Sequence, residues 1–125
     1  MLTLPSAVRI FLSPAPTDMR RGFDGLAALV TAAGLDVFSG HLFVFLSRNR
    51  DRVKILTWDR GGFVLWCKRL ERGRFKLPVL DPAARSVMLD AAQLMMILDG
   101  IDVAHVRRSK PWTPPSREID TAPRL

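Results

Sequence analysis

Between His41 and Leu70 the chain spells three strand-length apolar runs separated by turn chemistry: HLFVFLS (His41–Ser47), RVKILTWD (Arg52–Asp59) and FVLWCKRL (Phe63–Leu70). This order predicts consecutive antiparallel strands. The first run is almost continuously apolar, as in a strand buried on both faces. Arg48-Asn49-Arg50-Asp51 forms a polar turn, and Arg60-Gly61-Gly62 carries the chemistry that reverses the chain. Pairing Asp59 with Gly62 places Trp58 near Phe63, Leu56 near Leu65, Lys54 near Cys67 and Arg52 near Arg69 on one face. Ile55 then meets Trp66 on the other face, as Val53 meets Lys68. Register matters here because a slip of one residue inverts both faces. Glu71-Arg72-Gly73 breaks the third run, and Arg74–Leu77 reads as a short edge strand ended by Pro78. Cys67, inside an apolar strand, is expected to be a small buried hydrophobe. Trp58 and Trp66, at alternating strand positions, are expected in the core.

Helical patterns flank these strands. Val8–Leu12 is a further strand candidate, ended by Ser13-Pro14-Ala15-Pro16 because proline supplies no ladder donor. Thr17 or Asp18 then offers a helix cap. Met19, Phe23, Leu26, Ala27 and Val30 recur at helical spacing, and Gly34 is a suitable stop. Gly22 and Gly25 each cost about 1 kcal/mol against alanine inside a helix, which points to a late start or to close packing on a neighbour. Asp90 and Gln93 form a capping-box pattern, with Leu89 and Leu94 placed as a hydrophobic staple. Leu94–Leu98 is apolar nearly all round, so this second helix is expected to be buried, with Gly100 as its end. The fold class is α+β: an antiparallel β-meander of three to five strands with two helices packed on it, covering one sheet face. Residues 1–106 read as a single α+β domain. Residues 107–125 hold four prolines and few core residues, and read as a disordered tail.

The charge is distributed unevenly. Between Arg48 and Lys76, 29 residues contain ten Lys/Arg and three acids, a balance of +7, which equals the net charge of the whole 125-residue chain. Arg48, Arg50, Arg52, Lys54, Arg60, Lys68, Arg69, Arg72, Arg74 and Lys76 are therefore the candidate nucleic-acid-binding residues. Guanidinium groups grip phosphate oxygens in a forked geometry. Such a concentration exceeds what protecting a strand edge from aggregation requires. Signs of an enzyme are missing. His41 begins a buried strand and His105 lies near the tail, so both read as structural or solvated rather than as imidazole bases. The carboxylates fall at helix ends and turns, with Asp59 a turn former first. The chain contains no glycine-rich phosphate loop with its lysine, no zinc-ligand spacing and no nucleophile elbow. Cys67 is the sole cysteine, which excludes an internal disulfide. No cofactor, metal, small-molecule substrate or membrane partner is expected. No run reaches the ~18 apolar residues of a membrane span, and the chain reads as cytoplasmic.

Several blocks resemble a bacterial mobile-element family: PTDMRRGFDGL (Pro16–Leu26), FSGHLFVF (Phe38–Phe45), RVKILTWD (Arg52–Asp59), GFVLWCKRLERGRFKLP (Gly62–Pro78) and LMMILDGID (Leu94–Asp102). The family is that of TnpB, the second-reading-frame accessory protein of insertion sequences of the type numbered sixty-six. It is unrelated to the RNA-guided nuclease that shares the name. The resemblance covers roughly residues 7–102. It implies a non-enzymatic accessory of DNA transposition, encoded beside a separate transposase, with no catalytic residues to carry over. Combined with the basic stretch, it leads to the expectation of a protein that binds DNA phosphates and assists the transposase. The alternative expectation is a protein-interaction module that docks on the transposase without touching DNA.

Overall fold

Strands β3 (Arg52–Asp59) and β4 (Gly62–Arg69) are joined by two residues, Arg60 and Gly61, with φ of 45° and 88°. Positive φ at both central positions is type I′ geometry, whose twist matches that of the strands it joins. The ladder then runs without a slip from Asp59↔Gly62 to Arg52↔Arg69, in the expected register. The computed structural model describes residues 7–77, 81, 83–99, 101–102 and 107–108. The other elements are β1 (Ile10–Leu12), α1 (Phe23–Ala32), β2 (Leu42–Leu46), β5 (Val87–Leu89), α2 (Ala91–Asp99), and the short pair β6 (Ile101–Asp102) and β7 (Arg107–Arg108). The expected tail lies outside the described residues from 109 onward.

The class is α+β, but the sheet is not a plain meander. Its order is β4-β3-β2-β1-β5, and β1 runs parallel to β2 while every other pair is antiparallel. The parallel pair follows from α1, which carries the chain over the sheet between β1 and β2. Nor do the helices share a face. Leu26 and Val30 of α1 pack with Phe43, Phe45 and Leu56 on one side. Leu94 and Ile97 of α2 pack with Leu42, Val44, Leu46, Val53 and Ile55 on the other. All five β2 residues are buried. A central strand with a helix on each face must be apolar at consecutive positions, which is what its sequence shows.

Helix α2 opens with the predicted reciprocal cap. The Gln93 N–H donates to Asp90 Oδ1 at 2.7 Å, and the Asp90 N–H donates to Gln93 Oε1 at 3.0 Å. Leu89 and Leu94 are buried in one cluster, as a staple requires. Helix α1 takes the late start that Gly22 suggested, without the cap expected from Thr17 or Asp18. It begins at Phe23, with extended Gly22 before it and no side-chain cap. Asp18 instead accepts the Arg20 N–H at 2.9 Å in a local turn, and the Thr17 N–H donates to the Leu46 carbonyl at 2.8 Å. Gly34, with φ of 80°, ends the helix.

Three further expectations are corrected. Arg74–Leu77 is not a strand; the Phe75 N–H donates to the Arg50 carbonyl at 2.7 Å and its ring is sealed in the α2-side core. Cys67 is exposed, because β4 is the edge of the sheet. Trp66, on the same edge strand, is 42% exposed, and Trp58 is half-buried because it lies beside the β3–β4 turn, past the end of the β2 ladder.

Candidate nucleic-acid interface

Two loops meet at the end of the sheet away from the β3–β4 turn. In the first, 47–52, the Arg50 N–H donates to the Ser47 carbonyl at 2.9 Å, and Ser47 Oγ donates to Asp51 Oδ1 at 3.0 Å while accepting the Arg52 N–H. Arg50 sits at φ 57°, an uncommon conformation for a non-glycine residue. The second loop, 70–77, is tied to the first by Leu70 N–H to the Asp51 carbonyl and Phe75 N–H to the Arg50 carbonyl, each at 2.7 Å. Arg74 and Lys76 flank the buried Phe75 and are both exposed.

The structure thus divides the ten sequence candidates. Arg48, Arg50, Arg52, Arg69, Arg72, Arg74 and Lys76 come together on these loops and the adjoining strand ends, all with exposed side chains. Arg60 stands at the opposite end of β3, roughly 23 Å away for a strand of this length. Lys54 and Lys68 are half-buried and already engaged. Lys54 Nζ donates to the Met19 and Arg21 carbonyls, each at 2.8 Å, holding the segment before α1 against the sheet. Lys68 Nζ donates to the Leu98 carbonyl at 2.8 Å, in the last turn of α2. A cation there satisfies an otherwise orphaned helix carbonyl and opposes the negative end of the dipole. Lys54→Met is accordingly expected to lower stability by about 1.5–3 kcal/mol, the range for hydrogen bonds to charged groups. Chemical denaturation measures it, and an unchanged midpoint would show that the amine is not holding the loop.

The Lys54 anchor also brings in two cations that charge counting along the chain did not single out. Arg20 and Arg21 line a cleft of about 500 Å³ together with Thr17, Asp18 and Arg48. A second cleft of about 500 Å³ is lined by Met19, Arg52, Lys54 and Arg69, among others. Neighbouring residues of the segment before α1 line the two clefts, Met19 the second and Asp18, Arg20 and Arg21 the first. Arg20 is neutralised locally. Its guanidinium donates to the Asp18 carboxylate at 2.7–3.1 Å, and this bonding, with the Arg20 N–H, holds the Asp18 carboxyl down to about 2 from its usual 3.8. A depressed carboxylate pKa stabilises above the unfolded value and loses that contribution as pH falls through the folded one. The pair therefore persists until the pH approaches 2, and the unbalanced charge of the first cleft comes from Arg21 and Arg48.

Arg52 and Arg69 face each other directly across the β3–β4 ladder. Like charges at such positions destabilise a sheet. Only Arg69 has a carboxylate partner among the described residues, Glu71 at 3.1 Å, and that pair is exposed. Nine cations (Arg20, Arg21 and the seven above) and three acids (Asp18, Asp51, Glu71) occupy this end, a balance of +6.

His41 is structural: its Nδ1 accepts the Arg9 N–H at 3.0 Å, and its ring packs against Phe11. His105 lies outside the described residues. Among the described residues no three His, Cys, Asp or Glu side chains are grouped to hold a metal, and no helix is long and apolar enough to cross a membrane.

A family model described as IS66 Orf2 like protein matches residues 8–108. The chain is 35% identical over 111 residues to a Sinorhizobium fredii protein described as "Uncharacterized protein y4jC", covering 88% of this chain and 92% of the relative. It is 39% identical over 114 residues to a second protein of that organism, "Uncharacterized protein y4hO", covering 89% and 96%. No solved structure matches. The blocks that carried the resemblance include the segment before α1, the β3–β4 hairpin and the loop after it, the elements that build this basic end. The chain belongs to the TnpB family of IS66 Orf2-like proteins, which places it among the accessory proteins of transposition.

Proposed function

We propose that the basic end of the sheet binds the phosphate backbone of DNA and so helps a separate, element-encoded transposase act on it. One observation carries this reading most strongly. Arg52 and Arg69 are held opposite each other at a cost to the sheet, on a surface where seven exposed cations converge. Folding does not require that arrangement, whereas a polyanion rewards it. The arginines contact phosphates and fix position, and they carry no base readout of their own. Arg60 lies outside the footprint, while Lys54 and Lys68 build the scaffold rather than touch DNA. Bond-breaking belongs to the transposase, and this chain contributes electrostatic positioning.

The test is a titration of purified protein against duplex DNA from the element's ends at several salt concentrations. With about four phosphates neutralised, log affinity is expected to fall against log salt with a slope near −3.6. Binding that is flat in salt, or absent at low salt, would overturn the reading. Retention of the transposase after nuclease treatment, in that event, would assign the basic end to an acidic protein surface instead.

A further inference from the structure

Among the described residues, strand β4 is an uncovered edge of the five-stranded sheet. It is eight residues long, contains no proline, and from Gly62 to Cys67 carries no charge. The other edge, β5, has only three residues. The β3–β4 register runs without a bulge from a two-residue turn. Gly62, Val64, Trp66 and Lys68 therefore spend their backbone groups on β3, while Phe63, Leu65, Cys67 and Arg69 turn theirs outward. The Leu70 N–H continues the inward alternation by donating to the Asp51 carbonyl. Soluble proteins guard such an edge with charge, proline, a bulge or a cover. Here the guarding cations begin only at Lys68. Two large apolar side chains on the α2 side of the strand, Val64 and Trp66, are 44% and 42% exposed.

We propose that β4 pairs antiparallel with β4 of a second copy of this chain, about a two-fold axis at Leu65, to form a continuous ten-stranded sheet. The strand's own side chains select both the occupant and the register. With the axis at Leu65, Val64 of each copy faces Trp66 of the other, so the two exposed apolar groups cover each other. Phe63 faces Cys67, Lys68 faces Gly62, and Arg69 faces Gly61, so no cation opposes a cation. Moving the axis to Val64 sets Arg60 against Lys68. Moving it to Trp66 or Cys67 sets Lys68 against Val64 or Trp66. A β-branched residue against an aromatic is a favourable cross-strand pair, and like charges are not. Only the Leu65 axis sets Val64 directly against Trp66, and a strand that covers its own exposed apolar groups in this way has the pattern of a self-complementary two-fold interface.

Each copy carries +7, so the protomers repel and added salt strengthens their association. Phosphate binding weakens with salt. The dimer can therefore fail while the DNA reading stands, and the reverse.

The test is sedimentation of the full chain, without DNA, at rising protein and salt concentrations up to about 1 mM protein, where even an association of about 4 kcal/mol is populated. The expected result is a shift from 14.0 kDa to twice that mass, favoured by salt and weakened at least tenfold by Trp66→Lys. That variant adds a charge at an exposed site without touching the β3 ladder. A register check uses Leu65→Cys in a Cys67→Ser background. Directly opposed residues of this kind lie about 5.5 Å apart between Cα atoms, within disulfide reach, so oxidation should cross-link the pair. A chain that stays monomeric throughout, including one whose edge is taken by its own tail or by a foreign strand, overturns the proposal. So does a dimer indifferent to Trp66→Lys. Cross-linking by native Cys67 in place of the Leu65→Cys pair overturns the register.

Discussion

Phe75→Ala is expected to destabilise the protein by about 3–5 kcal/mol, the range for removing a buried phenylalanine ring. The site is extreme for a residue outside regular secondary structure. Phe75 is 1% exposed and belongs to the core cluster that α2 closes. Its backbone is also fixed, through the N–H that donates to the Arg50 carbonyl at 2.7 Å. Loss of the ring leaves a cavity that the sheet cannot collapse to fill, since β2 and β3 beside it are held by ladders on both sides. Against a total stability of about 5–15 kcal/mol, the loss is severe. Phe75→Leu keeps most of the volume and should cost less than about 1.5 kcal/mol. Urea denaturation of both variants measures the difference. A loss below about 1 kcal/mol for the alanine variant would mean that the ring does not anchor the loop. The ring also has a functional consequence: it holds the 70–77 loop against the 47–52 loop, and so keeps Arg72, Arg74 and Lys76 beside Arg48 and Arg50.

That anchor was only half legible in the sequence. Arg74-Phe75-Lys76-Leu77 alternates charged and apolar residues, so it reads as an edge strand. The same alternation describes a loop that drops one ring into the core and leaves its cations outside. Period-two patterning reports which residues face inward, not whether a ladder partner exists. The β3–β4 hairpin was largely readable, because Arg60-Gly61-Gly62 marks the reversal locally; the register taken from pairing Asp59 with Gly62 is the one observed, and β4 begins one residue earlier than expected, at Gly62. The α2 cap was readable because Asp90 and Gln93 satisfy each other locally. What depended on distant partners was not. Lys54 and Lys68 look like surface cations until carbonyls 33 to 35 and 30 residues away are brought to them. Arg20 and Arg21 join the basic end only because Lys54 holds their segment there. The exposure of Cys67 and Trp66 depends on which strand forms the edge, and strand order is not written in local pattern. One signal was present and pointed the right way. A strand apolar at five consecutive positions, Leu42–Leu46, needs a cover on both faces, and the two helices supply one each.

Joint neutralisation of Arg48, Arg52, Arg69 and Arg72 to glutamine should abolish most DNA affinity while leaving the fold intact or slightly more stable. Each phosphate contact on duplex DNA contributes about 0.9 to the salt slope, so removing four contacts flattens the log–log plot by about 3.6. The released counterions drive the binding, and the same slope read between 1 M and 0.1 M salt gives an affinity loss of roughly 10³-fold or more at 0.1 M. The stability change has the opposite sign. Arg52 and Arg69 are opposed across the ladder, and relieving like charges at a cross-strand pair is worth roughly 0.2–1 kcal/mol. The exposed Arg69–Glu71 pair, at 3.1 Å, returns little of this when lost, since such surface pairs contribute about 0–1 kcal/mol. Arg60→Gln, at the far end of the hairpin, is the matched control and should leave both slope and affinity unchanged. The outcome separates a surface arranged for a polyanion from cations that merely keep a sheet soluble. In the second case the four-residue variant binds as the parent does, and Arg60→Gln cannot be told from it.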